Sequence, residues 1–315
     1  MNVMKLYYYS ALFFLFAFTA CTKKDVTNNT TKDSYTLPDD RFFPEGIAYD
    51  AAAGVFYTGS TVSGNILRVN VSTGETSLFS NGAAQGRSFC TGMKLDSKGR
   101  LWVCGGGEAK IHLLSTQGYL IKTWDVKTLF GGLFINDCIG DNEYMYFTDS
   151  QTPKIYRAKV TEDQPGELEE WLTFTNAQIP YVAGTNANGI EMTKDGKYLI
   201  VVISTSGKLY RIDKATKAVS EITLNATVQS GDGLLLDGNT LYVSRNATNQ
   251  IFPVALNADY TQGTVGAGFG SNLIFNTTMA KVGDNLLVVN GQLNRRTGTT
   301  PPVLPFSITR VSIPK

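Results

Sequence analysis

The chain has 315 residues with 28 Lys and Arg against 27 Asp and Glu, a formal charge of +1, and 17% charged, 43% hydrophobic and 11% aromatic side chains. Such a chain can bury a large core, which excludes general disorder, and the balanced charge argues against a nucleic-acid-binding surface. A single histidine, His112, excludes a His-rich zinc site.

The first segment reads as an address. Lys5 is the only charge among residues 1–20, and the apolar run Tyr7–Ala20 is too short to span a bilayer comfortably. It ends Phe18-Thr19-Ala20-Cys21, which resembles a bacterial lipobox, the signal in which the cysteine is lipidated and becomes the first mature residue. The expectation is a lipoprotein signal peptide over 1–20, lipidation at Cys21, and a polar flexible tether over 21–33. That places a folded domain over 34–315 in the bacterial cell envelope, lipid-anchored and periplasmic or surface-exposed, touching the membrane only through its anchor. Of the remaining cysteines, Cys90, Cys104 and Cys138, the odd count leaves at least one free; all three read as small buried hydrophobes, with one pair such as Cys90–Cys104 open.

Ser34–Leu37 precedes a repeat and is expected to supply an outer strand that closes it. Six segments then share a plan: a polar leading residue, a small or variable residue, and a mostly apolar run. The leaders are Glu45, Thr91, Asn136, Asn188, Asp232 and Thr278, spaced by 46, 45, 52, 44 and 46 residues. A second strand-like run follows each one, such as Val55–Thr58 and Tyr198–Ile203, and then a third, such as Lys110–Leu114 and Lys208–Ile212. No segment holds a 3.6-residue period, so a βαβ alternation is disfavoured. Units of this length, built from three or four short strands, predict an all-β, six-bladed β-propeller.

In such a ring, equivalent positions converge on one tunnel mouth. Here they comprise two carboxylates, two carboxamides and two hydroxyls, where an ordinary core would carry Val, Ile or Leu. Hard oxygen donors without thiolate or imidazole suit Ca²⁺, with Mg²⁺ or another divalent ion as the alternative. The glycines after the leaders, Gly46, Gly92, Gly189 and Gly233, would let neighbouring inner strands approach.

Phe43-Pro44-Glu45-Gly46, Asn136-Asp137, Asn188-Gly189 and Gly231-Asp232-Gly233, with Tyr146-Phe147-Thr148-Asp149, resemble the family of six-bladed propellers that includes gluconolactonase and senescence marker protein. The resemblance implies a divalent metal on the axis, with Glu45, Asn188 and Asp232 as ligands. Asn136 becomes a ligand or a holder of metal-bound water or substrate. It also implies hydrolysis of lactones or esters. Asp232 would then be the catalytic base and Asn136 and Asn188 would orient the substrate. Two features depart from the family: Phe134-Ile135 stands where an Arg is frequent, and Glu45-Gly46-Ile47 replaces Glu-Gly-Pro. The expected partner is a small lactone or ester, met by a monomer. The alternative is a non-catalytic propeller that binds a glycan, peptide or protein around a structural metal; a phosphoester hydrolase ranks third. Arg295-Arg296 reads as solvated surface, and His112 as structural.

Overall fold

The computed structural model describes Met1, residues 32–160 and residues 165–314. The chain divides into two units at residue 31, and the second, Thr31–Lys315, is compact. Cys21 and the apolar leader lie outside the described residues. No helix among the described residues is long and apolar enough to cross a membrane.

The second unit is an all-β propeller. Its first repeat is the antiparallel series Pro44–Asp50, Val55–Ser60, Ile66–Asn70 and Thr76–Ser80, running from the axis outward. Met93–Leu95, Leu101–Cys104, Lys110–Leu114 and Leu120–Asp125 form the second, and Ile135–Gly140, Tyr144–Asp149, Lys154–Lys159 and Leu168–Thr173 the third. The next two repeats share one eight-stranded sheet. One half is Ala187–Met192, Tyr198–Ile203, Lys208–Asp213 and Val219–Leu224; the other is Gly231–Asp237, Thr240–Arg245, Gln250–Leu256 and Gln262–Val265. The last sheet combines Asn276–Val282, Asn285–Asn290 and Ser307–Ser312 with the N-terminal strand Ser34–Thr36, which pairs antiparallel with Ser307–Ser312 and joins the two ends of the unit.

Counted by hydrogen-bonded sheets among the described residues, the number is therefore five and not the expected six. The cause is local. The two outer strands of the eight-stranded sheet pair in parallel at Thr223 with Gln262 and Leu224 with Gly263. A Cβ on Gly263 would stand 2.8–3.0 Å from the side-chain tips of Val254, Leu256 and Leu224, so glycine eases the close approach of these edges.

Strand composition follows position in the ring. Second strands are buried on both faces, as in Val55–Ser60 with every residue buried, because each is sandwiched between neighbouring repeats. Outer strands are largely open to solvent, as in Leu168–Thr173, where only Leu168 and Trp171 are buried. Six apolar clusters fill the interfaces between successive repeats. One unites Trp102, Ile111 and Trp124 with Phe147 and Tyr156. Another unites Leu287, Val289 and Ile308 with Ile47, Phe56 and Val69 across the closure. The rest fill the remaining four interfaces. The six inner strands touch in succession, the last against the first. Among the described residues helix is confined to Val126–Phe130, capped by Asp125 through Thr128 N, and short 3₁₀ turns.

Cys90, Cys104 and Cys138 are all free and buried. The Cys104 thiol faces Cys138, not Cys90, and burial raises its pKa well above the ordinary value, with Cys138 adding to the shift. The open Cys90–Cys104 pairing is thus not formed.

Candidate axial metal centre

Five of the six inner strands begin with the same irregularity; Met93–Leu95, which starts after Thr91, pairs in unbroken register. The register to the second strand slips between Pro44 and Ile47, Ile135 and Cys138, Ala187 and Ile190, Gly231 and Leu234, and Asn276 and Met279. Two residues in each slip escape regular pairing, as in a β-bulge, which re-aims side chains locally. The first of the two is the leader: Glu45, Asn136, Asn188 or Asp232. In the last repeat this position is Thr277. The sequence expectation of Thr278 is off by one residue, because two adjacent threonines fit the pattern equally well and only the bulge register separates them. Thr277 Oγ1 donates to Glu45 O at 2.8 Å, joining the last repeat to the first.

The second bulge residue presses on the next repeat. A Cβ on Gly46 would lie 2.3 Å from Thr91 O, one on Gly189 2.2 Å from Asp232 O, and one on Gly233 2.1 Å from Thr278 Oγ1. Asp137 fills this position in the third repeat. Its carboxylate occupies the space that Gly92 leaves, where a Cβ would meet Asp137 Oδ1 at 2.1 Å.

Glu45, Asn136, Asn188 and Asp232 are each 5% exposed. The two amides have defined orientations. Ser150 Oγ donates to Ala187 O at 2.7 Å, so its oxygen must accept from Asn136, whose Nδ2 lies at 2.9 Å. Ser204 Oγ likewise donates to Gly231 O and accepts Asn188 Nδ2 at 3.1 Å. Each Nδ2 thereby gives one of its two protons to a serine, which fixes the side its Oδ1 faces. Asn136 Oδ1 and Glu45 Oε2 are buried with no hydrogen-bond partner.

The acids crowd one another. Burial raises the Glu45 carboxyl well above its ordinary pKa, and Asp232 and Asp137 raise it further. Burial pushes Asp232 up to about 7 against the opposing hydrogen bonds of Asn246 and Asn188, with Asp137 adding to the rise. Asp137 rises to about 6, again chiefly by burial, offset in part by the Cys138 and Ile190 amides and by Lys94. Glu45, Asp232 and Asp137 therefore share one electrostatic field, and Asn188 joins Asp232 directly. Asn246 Nδ2 holds Asp232 Oδ2 at 3.2 Å.

Two orphaned buried oxygens, an acid pair and an outward-tied amide suit a hard cation. The donor set is mixed: no three His, Cys, Asp or Glu side chains among the described residues cluster to hold a metal.

Residues 26–132 match the model of the SMP-30/gluconolactonase/LRE-like region. The matched stretch contains Glu45 and Thr91 and stops short of Asn136. Comparison with curated protein sequences gives no match. Solved structures that resemble the chain include the major allergen Mala s 1 of Malassezia sympodialis, 14% identical over 89% of this chain and 96% of that one, TM-score 0.65. Virginiamycin B lyase of Staphylococcus aureus is 12% identical over 89% and 98%, TM-score 0.64. The calcium-binding protein regucalcin of Agrobacterium tumefaciens is 15% identical over 90% and 96%, TM-score 0.64. At these identities the likeness shows the propeller fold alone.

Asp137, Ser150, Ser204 and Asn246 carry the site and were not singled out from sequence. A signal existed: Ser150 and Asn246 both lie 14 positions after their leaders, at the end of the second strand. Other loop side chains have structural work. Gln292 is buried and clamps Val303 through both its amide atoms. Tyr181 donates to Asp149 O. Arg295 binds Pro301 O, and Arg245 binds Gln229 O. His112 is buried in a third strand, Nδ1 at 2.9 Å from Thr123 Oγ1, away from the ring.

Proposed function

We propose that this protein is a divalent-cation-dependent hydrolase of lactones or esters, built on a six-bladed propeller in which the eight-stranded sheet counts as two blades. The observation that carries the reading is the pair of buried, unpartnered oxygens, Glu45 Oε2 and Asn136 Oδ1, beside an acid pair of raised pKa. Such an arrangement is costly unless a cation relieves it. Glu45, Asn136, Asn188 and Asp232 would hold the ion, with Ca²⁺ preferred for its tolerance of mixed oxygen donors and Mg²⁺ the alternative. The regucalcin likeness, a calcium-binding protein by description, supports the choice.

When bound, the cation polarises a carbonyl and stabilises developing negative charge on its oxygen. Asp232 takes a proton from water as the general base. Asn246 keeps the Asp232 carboxylate turned to one side through Oδ2. Asn136 and Asn188, locked by Ser150 and Ser204, orient the substrate.

One observation favours the second reading, a metal-holding propeller that binds without turnover. The chain's one imidazole is buried away from the mouth, so Asp232 would have to serve as ligand and base together. Asp232→Asn separates the two. Retained Ca²⁺ binding with loss of ester or lactone hydrolysis supports the hydrolase; no hydrolysis by the unaltered protein across a lactone and ester panel leaves the binder. We also propose that Cys21 carries a lipid and that 21–33 tethers a monomeric domain in the envelope. Mass spectrometry of the membrane fraction, with Cys21→Ser released in soluble form, tests this.

A further inference from the structure

The rim of the mouth is divided by chemistry. Two positions before each leader stand Phe43, Phe89, Phe134, Asn186, Ser230 and, for Thr277, Phe275. Phe43 is buried against Phe306, whereas Phe89 and Phe134 are half-exposed and meet edge to face at 6.3 Å. They are held at the mouth by backbone. Gly106 bridges Ile135 in both directions, and a Cβ on Gly106 would meet Phe89 at 2.6 Å and Thr91 Cγ2 at 3.1 Å. Phe134 N donates to Asp149 Oδ1, a buried carboxylate that also takes the Leu133, Gln151 and Thr152 amides.

Arg296 extends this wall. Its guanidinium lies 4.8 Å from the centre of the Phe89 ring, and Nη1 donates to Thr61 O at 3.2 Å. It is half-buried, and no ion pair among the described residues includes it. The carboxylate on this rim, Glu108, is taken by the Ser88 amide and hydroxyl. A stacked guanidinium keeps its in-plane N–H donors free at the edge, the geometry that receives a carboxylate beside a flat ring. The sequence reading of Arg296 as solvated surface is therefore corrected.

The opposite wall is polar and uncharged. A cavity of about 360 Å³ is lined by Asn188, Ser204, Thr205, Gln229, Ser230 and Asn246, among others. It adjoins the Asp232 carboxylate through Asn246.

We propose that this mouth takes an aryl ligand bearing a negative charge: ring along Phe89 and Phe134, anion on Arg296, and hydrogen-bonding remainder in the Asn188–Asn246 cavity. The placement of a reacting carbonyl over Asp232 rests on the hydrolase reading; the binding preference does not.

The test is calorimetric binding to the full folded domain of three probes: 4-nitrobenzoate, 4-nitrobenzyl alcohol and gluconate, each with Ca²⁺ and with EGTA. We expect 4-nitrobenzoate to bind about tenfold tighter than either other probe, and Arg296→Gln to remove about tenfold from it alone. Phe89→Leu with Phe134→Leu should weaken both aryl probes. Arg296→Lys, which keeps the charge without the flat fork, should recover only part of the loss. Gluconate binding as tightly as 4-nitrobenzoate, or an unchanged 4-nitrobenzoate affinity in Arg296→Gln, overturns the proposal. Absence of Ca²⁺ binding with the probe ranking intact sinks the hydrolase reading and leaves this one standing.

Discussion

Ser150 and Ser204 decide which way two amides face. Each hydroxyl spends its proton on the backbone of the next repeat, so each Asn must donate to it and turn its carbonyl oxygen elsewhere. Ser150→Ala removes that constraint on Asn136 and should weaken Ca²⁺ about tenfold by titration calorimetry, with little change in fold. An unchanged affinity would dissociate Asn136 from the ion. Glu45→Gln should act in opposite directions with and without cation. It relieves crowding by Asp232 and Asp137, so the cation-free protein should gain about 1–3 kcal/mol, while the rise in melting temperature on adding Ca²⁺ disappears. A variant that loses stability in EGTA contradicts the crowding. At His112, burial first and then Arg87 and Lys110 hold the pKa down to about 3. The unfolded chain, titrating near 6.5, takes up a proton that the folded one refuses, so this group's contribution is complete above pH 6.5 and declines as pH falls toward 3. The raised axial carboxyls act with the opposite sign over much of that range, so a difference measurement is needed. Denaturant unfolding at pH 7.5 and 4.5 should show His112→Gln gaining on the unaltered protein by about 2 kcal/mol at the lower pH. Parallel pH dependences would refute the burial argument.

At the scale of the element, the bulge at the start of five of the six inner strands is what makes a site out of a strand. It frees two residues from the regular pairing, turns the first into a leader and sets the second against the neighbouring repeat. Glycine there is a packing requirement: a Cβ on Gly233 would stand 2.4 Å from Thr278 Cβ and 2.7 Å from its Cα. Gly233→Ala should cost about 1–3 kcal/mol in chemical denaturation and displace Asp232, its neighbour in the bulge, with weaker Ca²⁺ binding. Equal stability and equal affinity would mean that the two strands part freely. Asp137 tolerates the position because its side chain runs under Gly92 and accepts the Ile190 amide.

At the scale of the molecule, the ring depends on a three-residue strand. Ser34–Thr36 completes the last sheet, and Tyr35 drives the closure: it is 1% exposed, meets Phe56 of the first repeat edge to face at 5.1 Å and donates to Val71 O at 2.7 Å. Tyr35→Ala should cost about 3–5 kcal/mol, the range for a large aromatic lost from a core. Because the six interfaces form one circuit, that loss should lower a single cooperative transition rather than split off one repeat. Two separate transitions would show that the closure is energetically local.

Much of this was legible along the chain because it is periodic. Polar leaders such as Asn188 and Asp232 stand before apolar runs at near-constant spacing, and spacing of that kind survives without any knowledge of neighbours. The closing role of Ser34–Leu37 and the structural role of His112 were legible for the same reason, by their place relative to the repeat. The remainder depends on contacts between residues far apart in sequence. Thr277 against Thr278 is settled by a bulge register, the serine locks by carbonyls of the next repeat, and the fused eight-stranded sheet by Gly263 meeting Leu224. Arg296 reads as one of two exposed cations until the last repeat's loop lays it over Phe89 of the second. Local pattern names the residue types a propeller axis needs; the closed ring decides which of them face one another, because each repeat completes its hydrogen bonds and its core only on the next.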